Sequence, residues 1–421
     1  MLSSRFKSAA SPWRAMAAEM IRRLGSRVSV SAFSTSYSRA TSYSIIADFR
    51  SDTLTQPTDE MFTIMRNASR GDDVYEEDDA VRALEAHVAT LTGHEAGLFC
   101  ASGTMTNQLA FRASLLTPPA SILCDSRSHV YRYEAGGLAS HSNATVYPVQ
   151  AITNRGHHLT VQDLEREFVT DDGDVHMAPT RLISLENTLN GTVMPLQDVQ
   201  AIRQFSQERN VRLHLDGARI WNATVAQGCD LKDFTSQFDS VSLCVSKGIG
   251  APIGSVLVGD KDLIKKSRHF RKMFGGGWRQ AGGLAAVVHW CIDHVWPTMK
   301  KTHALTKQLA EGLEREARGA KIYIPAETNM VFLDLAGSGI RLGELSSRLE
   351  LEKGIKIGNR YTLENQTQVR LVLHWQITKQ AVDGFIEVVK DMALKAASRP
   401  NDVPHTATSK SAVYGIPKRF S

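Results

Sequence analysis

No apolar run in the 421-residue sequence approaches the roughly 18 residues that a membrane-spanning helix needs. Its five cysteines stand singly, none in a CxxC pair, which argues against a disulfide framework and against a zinc site built on paired thiolates. Cys100, Cys124, Cys229, Cys244 and Cys291 fall mostly within apolar, strand-like runs and read as reduced core thiols. There is no P-loop lysine motif and no GxGxxG, so neither a nucleoside triphosphatase nor a dinucleotide-binding fold is favoured, and no metal is expected. Charge of one sign is lacking as well. The net charge of +5 comes from the first 40 residues, where seven Arg and Lys face the single acid Glu19. The remaining 42 basic and 43 acidic residues leave −1, so nothing in the charge points to nucleic acid.

The basic first 40 residues are rich in Ser and Ala, and Trp13, Met16, Ala17, Met20, Ile21 and Leu24 recur at helical spacing beside arginines. This pattern reads as an organellar, mitochondrial presequence; a plain basic tail on a cytoplasmic protein is the alternative. From about Ala96, short apolar runs (AGLFC, SILCD, RLISLEN, VRLHLDG, DSVSLCV, IGSVLVG) alternate with amphipathic stretches. That alternation predicts an α/β domain with a mainly parallel sheet, whose ligands bind at the strand C-termini. A long helical pattern over 278–316, then KIYI, NMVFLDL, VRLVLHW and two amphipathic helices, predicts a smaller α+β domain. The expected divisions are 1–43 (targeting segment), 44–300 (large domain with an N-terminal arm), 301–397 (small domain) and 398–421 (polar tail).

Four stretches carry candidate chemistry. Lys247 follows the buried-strand pattern DSVSLCVS, and Gly248, Gly250 and Gly254 let a backbone or a ligand come close. Partial desolvation there would lower its pKa and favour a reactive amine; a surface lysine opening a loop fits the same stretch. Asp216 ends the strand LHLD before a helix, where it suits either an N-cap or the acidic partner of a pyridoxal phosphate ring nitrogen. In CASGTMTN, Gly103 and the hydroxyls of Ser102, Thr104 and Thr106 open a helix as a phosphate cradle would. His129 lies just past SILCD, placed to stack on a ring, to move protons, or to serve as an ordinary structural histidine.

These segments together resemble the threonine aldolase family of pyridoxal-phosphate enzymes. The landmarks DFRSDTLTQPT, GDDVYEED, ASGTMTNQLA, SHVYRYEAGG, ENTLNGTVMP, LHLDGARIWNA, SLCVSKGIGAPIGSVLVG, FRKMFGGGWRQAG and VRLVLHW run in order from about Ala47 to Leu394. The resemblance implies the aspartate aminotransferase-like fold, with a mainly parallel seven-stranded sheet in the large domain and a small α+β domain. It implies that Lys247 attaches the cofactor, Asp216 holds the pyridinium proton and His129 stacks on the ring. Gly103 and Thr104 would bind the phosphate, with Arg279 contributing from a neighbouring subunit. Ser51, Arg219 and Arg370 would hold the substrate carboxylate, Arg219 reaching the cofactor as well. The implied reaction is retro-aldol cleavage of a β-hydroxy amino acid such as L-threonine or L-allo-threonine to glycine and an aldehyde, in a homotetramer. Alanine racemisation, β-elimination and a noncatalytic binding role are the rivals. One position departs from the family: the histidine that often follows Glu-Asn-Thr is Leu189, which cannot move a proton.

Overall fold

A computed structural model describes residues 46–152, 157–358 and 366–398. The segment read as a presequence and the tail from residue 399 onward lie outside the described residues. Strands β1 (Ala47–Asp48), β2 (Ala96–Cys100), β3 (Ser121–Asp125), β4 (Thr145–Val149), β5 (Thr180–Glu186), β6 (Arg212–Asp216), β7 (Ser240–Cys244) and β8 (Ser255–Gly259) lie in the first two-thirds of the chain. They are followed by β9 (Lys321–Ile324), β10 (Met330–Asp334), β11 (Ile355–Lys356) and β12 (Gln368–Val372). Seven of these strands form one sheet in the order β2-β8-β7-β6-β5-β3-β4. Only β8 runs against its neighbours; the other pairings are parallel. Every residue of β3, β7 and β8 is buried, as expected for a sheet covered by helices on both faces.

This topology places six strand C-termini on one edge. Cys100, Asp125, Val149, Glu186, Asp216 and Cys244 all end there, and the turns that follow them carry the chemistry. The turn after β2 enters the helix Gly103–Ser114, whose N-cap Ser102 accepts a hydrogen bond from the Met105 amide at 3.2 Å.

A second sheet, β12-β10-β9, is antiparallel and has its own apolar core built on Leu333, Leu345, Leu371 and Phe385. The helices Leu342–Lys353 and Lys379–Ala397 match the two amphipathic helices expected there. Two features depart from the sequence reading. The continuous pattern over 278–316 is two helices, Gly282–His294 and Met299–Glu316, separated by a short turn at Trp296–Thr298. Pro297 explains the break, because it donates no hydrogen bond and its ring clashes with the preceding turn. The N-terminal arm also crosses to the second core: β1 pairs in parallel with β11, and Ala47 and Phe49 are buried among that core's side chains.

Candidate active site

Lys247 follows β7 on the strand-end edge and is half-buried. Among the described residues, no hydrogen bond or ion pair engages its amine. Its charge acts on Asp52, His129 and Glu186, which places it among them. Two of the glycines after it admit protein side chains. A Cβ on Gly250 (φ +83°) would lie 2.4 Å from Trp375 Nε1, and one on Gly254 (φ +111°) 2.4 Å from Phe99. Gly103 is open: a Cβ there would meet nothing within 4 Å. Because Ser102 caps only Met105, the N–H groups of Gly103 and Thr104 have no acceptor among the described residues.

Asp216 is 3% exposed. Its Oδ1 accepts from the Ala218 amide at 3.1 Å and its Oδ2 from Asn107 Nδ2 at 2.9 Å. The N-cap expected at Asp216 is not formed: the following helix, Ile220–Gln227, is capped at Arg219, because two further residues of turn separate Asp216 from it. One Asp216 oxygen holds that turn and the other lies in a buried polar chain. The same Asn107 amide donates to Glu134 Oε1 at 2.8 Å, and His129 Nδ1 meets that oxygen at 2.9 Å. The His129 backbone N–H donates to Glu186 Oε2 at 2.7 Å. Burial disfavours charge on the His129 imidazole, but Glu134 and Asp216 outweigh burial, and its pKa is raised. Burial first, and the neighbouring Asp216 second, hold the Glu186 carboxyl above its ordinary range.

The residues expected from the resemblance to hold a carboxylate divide in two. Arg219 is partly buried and forks onto the buried Asp52, Nε to Oδ2 at 2.9 Å and Nη2 to Oδ1 at 2.7 Å, while Asn329 adds a third donor to Asp52 at 3.2 Å. Burial opposes the Asp52 charge, yet Arg219 prevails and its carboxyl titrates below its ordinary value. Arg370, on β12, is exposed and makes one long hydrogen bond, 3.4 Å, to the carbonyl of Arg50, beside Ser51. The Ser51 hydroxyl accepts from the Thr53 hydroxyl at 2.9 Å. Arg279 stands apart: its side chain is 57% exposed and pairs with Asp72 at 2.9 Å. Leu189 is 5% exposed and sits in a tight turn in which Thr192 donates twice to its carbonyl.

Asn107, Glu134, Asp52 and Glu186 were not singled out from sequence. Glu134 follows His129 by five residues and Asp52 adjoins Ser51, so proximity to assigned residues was the only signal available.

The profile of the beta-eliminating lyase family matches residues 48–338. The chain belongs to this family. The family name and the aminotransferase-fold neighbours imply a pyridoxal-phosphate-dependent lyase, and several relatives are low-specificity L-threonine aldolases. The chain is 44% identical over 369 residues to a low specificity L-threonine aldolase of Saccharomyces cerevisiae, covering 87% of this chain and 90% of that one. It is 39% identical over 357 residues to an alanine racemase of Cochliobolus carbonum, covering 83% and 88%. A threonine aldolase structure from Leishmania major superposes with a TM-score of 0.67 at 20% identity, over 82% of this chain and 99% of that one. A Thermotoga maritima aspartate aminotransferase gives 0.59 at 13% identity, over 90% and 95%. The family fold is therefore the aspartate aminotransferase-like α/β fold expected from sequence.

Proposed function

We propose that the protein is a pyridoxal-phosphate-dependent aldehyde-lyase that cleaves L-threonine, L-allo-threonine and related β-hydroxy amino acids to glycine and an aldehyde. The observation that carries this reading is the unengaged Lys247 amine close to the buried Asp216 at neighbouring strand ends. The residues present fit the cofactor. Lys247 supplies the amine that attaches it, Asp216 the acidic partner of its ring nitrogen, and the free N–H groups of Gly103 and Thr104 the phosphate seat. His129 would cover the ring. Arg279 has a largely exposed side chain paired with Asp72, which suits a contribution to a neighbouring subunit's phosphate site in a homotetramer.

When bound, pyridoxal phosphate supplies the electron sink for the pair released as the Cα–Cβ bond breaks. The chain's own residues orient and deprotonate. Arg370 presents a guanidinium fork that is nearly free, and it grips the substrate carboxylate beside Ser51. Arg219 already spends its Nε and Nη2 edge on Asp52, so it shapes the clamp with its remaining nitrogen. His129 Nε2, which has no partner among the described residues, takes the β-hydroxyl proton that Leu189 cannot take.

Alanine racemisation is the second reading, supported by the 39% identical alanine racemase. Purified protein loaded with pyridoxal phosphate and given L-threonine, L-allo-threonine and L-alanine separately should release acetaldehyde and glycine from the first two. D-alanine without acetaldehyde would overturn the aldolase reading. Lys247→Ala should lose the visible absorbance of the attached cofactor and about 10⁴-fold or more of turnover.

A further inference from the structure

The polar groups behind His129 form one continuous chain of hydrogen bonds in which donors and acceptors alternate without conflict. Ser240 Oγ lies 2.8 Å from His214 Nδ1, and His214 Nε2 lies 3.1 Å from Asn107 Oδ1. A carbonyl oxygen accepts only, so His214 carries its proton on Nε2 and accepts from the Ser240 hydroxyl. Burial also pushes the His214 imidazole down to about 4, which keeps it neutral. The two protons on Asn107 Nδ2 then go to Asp216 Oδ2 and Glu134 Oε1. Gln108 Nε2 donates to the other oxygen of Glu134. Glu134 is thereby an acceptor at both oxygens, and the group opposite it, His129 Nδ1, has to be a donor. Glu134, Asn107, Asp216 and His214 are all at least nine-tenths buried, so water does not compete for these bonds.

We propose that Glu134 and Asn107 are positioning residues that hold the His129 imidazole with its proton on Nδ1 and its Nε2 lone pair free, and that tie this ring to the Asp216 carboxylate. The pair thus sets the form in which His129 can accept a proton and couples that form to the group holding the cofactor's ring nitrogen. Five charged or titratable groups face His129: Glu134 and the Tyr133 ring, 5.8 Å away, from its own segment, Glu186 at the end of β5, Asp216 at the end of β6, and Lys247 after β7. Glu134 and Asp216 favour the charged imidazole and Lys247 opposes it. Removing the Glu134 charge therefore lowers the pH at which His129 titrates.

The kinetic arm of the test rests on the aldolase reading; the spectroscopic arm does not. In the full-length protein labelled at histidine, NMR of the wild type should show the neutral His129 ring with its proton on Nδ1, the signal being assigned by its loss in His129→Asn. A neutral ring protonated on Nε2 in the wild type would overturn the proposal, whatever the fate of any variant. Glu134→Gln keeps the side-chain volume and should lower the His129 titration by about one pH unit or more. In the holoenzyme the same variant should move the acidic limb of the kcat profile downward by a similar amount. It should cost about tenfold or more in kcat, with KM within about twofold. A variant that melts earlier but keeps the wild-type His129 tautomer and titration would reduce Glu134 to a structural role and overturn the proposal. Wild-type protein that makes no acetaldehyde but shows the Nδ1–H ring would sink the aldolase reading and leave the positioning inference standing.

Discussion

Two kinds of polar group share the strand-end edge of the large sheet, and they differ in whether their hydrogen bonds are filled. Asp216, Asn107, Glu134, His214 and Asp52 are buried, Arg219 is largely so, and all are matched to partners within the set. The Lys247 amine, the N–H groups of Gly103 and Thr104, and most of the Arg370 fork are left without partners. A buried polar group that lacks a partner is costly, so a filled set can hold shape by itself, whereas an open set waits for a ligand. The filled groups hold the site's geometry; the open ones define what enters it.

The largest effect should come from breaking a filled pair. Asp52→Asn would leave the Arg219 guanidinium buried without its anion, at a cost of about 3–5 kcal/mol in stability. Because the folded-state pKa of Asp52 is depressed, its stabilising contribution is complete above the unfolded value and is lost as pH falls through the folded one. Chemical denaturation of both proteins should therefore show the full difference at pH 7 and a smaller one below about pH 4. An equal difference at pH 7 and pH 3 would mean that the pair does not act as a filled ionic contact.

Breaking an open group should leave the fold intact and strike binding. Arg370→Ala removes only a 3.4 Å hydrogen bond from the folded chain, so its melting temperature should hardly change. Loss of a charge-assisted contact to the substrate carboxylate should lower kcat/KM by about 2–3 kcal/mol, roughly 30- to 150-fold, mainly through KM. A comparable loss of stability with unchanged KM would move Arg370 into the filled set.

The division also accounts for which parts of the molecule were legible in sequence. Lys247, Asp216 and Gly103 were visible because each follows an apolar run, and a run that ends in a reactive or permissive residue is a local signal. The parallel strands were visible for the same reason, since burial on both faces writes a continuous apolar word such as SVSLC. The filled set was not visible. Asn107 lies in the middle of a helix and Glu134 in a turn, positions where polar side chains ordinarily meet solvent. Only their burial, which depends on segments as distant as residues 107, 134, 214 and 240, reveals them. The strand order, with β8 inserted between β2 and β7, and the pairing of β1 with β11 are likewise set by long-range contacts that no local period records.

Leu189 offers the smallest effect and the sharpest discrimination. Its position in the sequence motif suggests contact with the β-hydroxyl, yet its side chain is 5% exposed and its carbonyl is held by Thr192, so it belongs with the filled groups. A histidine placed there would enter protein packing before it met a substrate. Leu189→His should accordingly cost about 1–3 kcal/mol of stability through a poorly partnered imidazole. The ratio of kcat/KM for L-threonine over L-allo-threonine should change by less than about threefold, under 1 kcal/mol. A tenfold change in that ratio would show that the side chain at 189 reaches the substrate, and the boundary between the filled and open sets would have to be redrawn to include it.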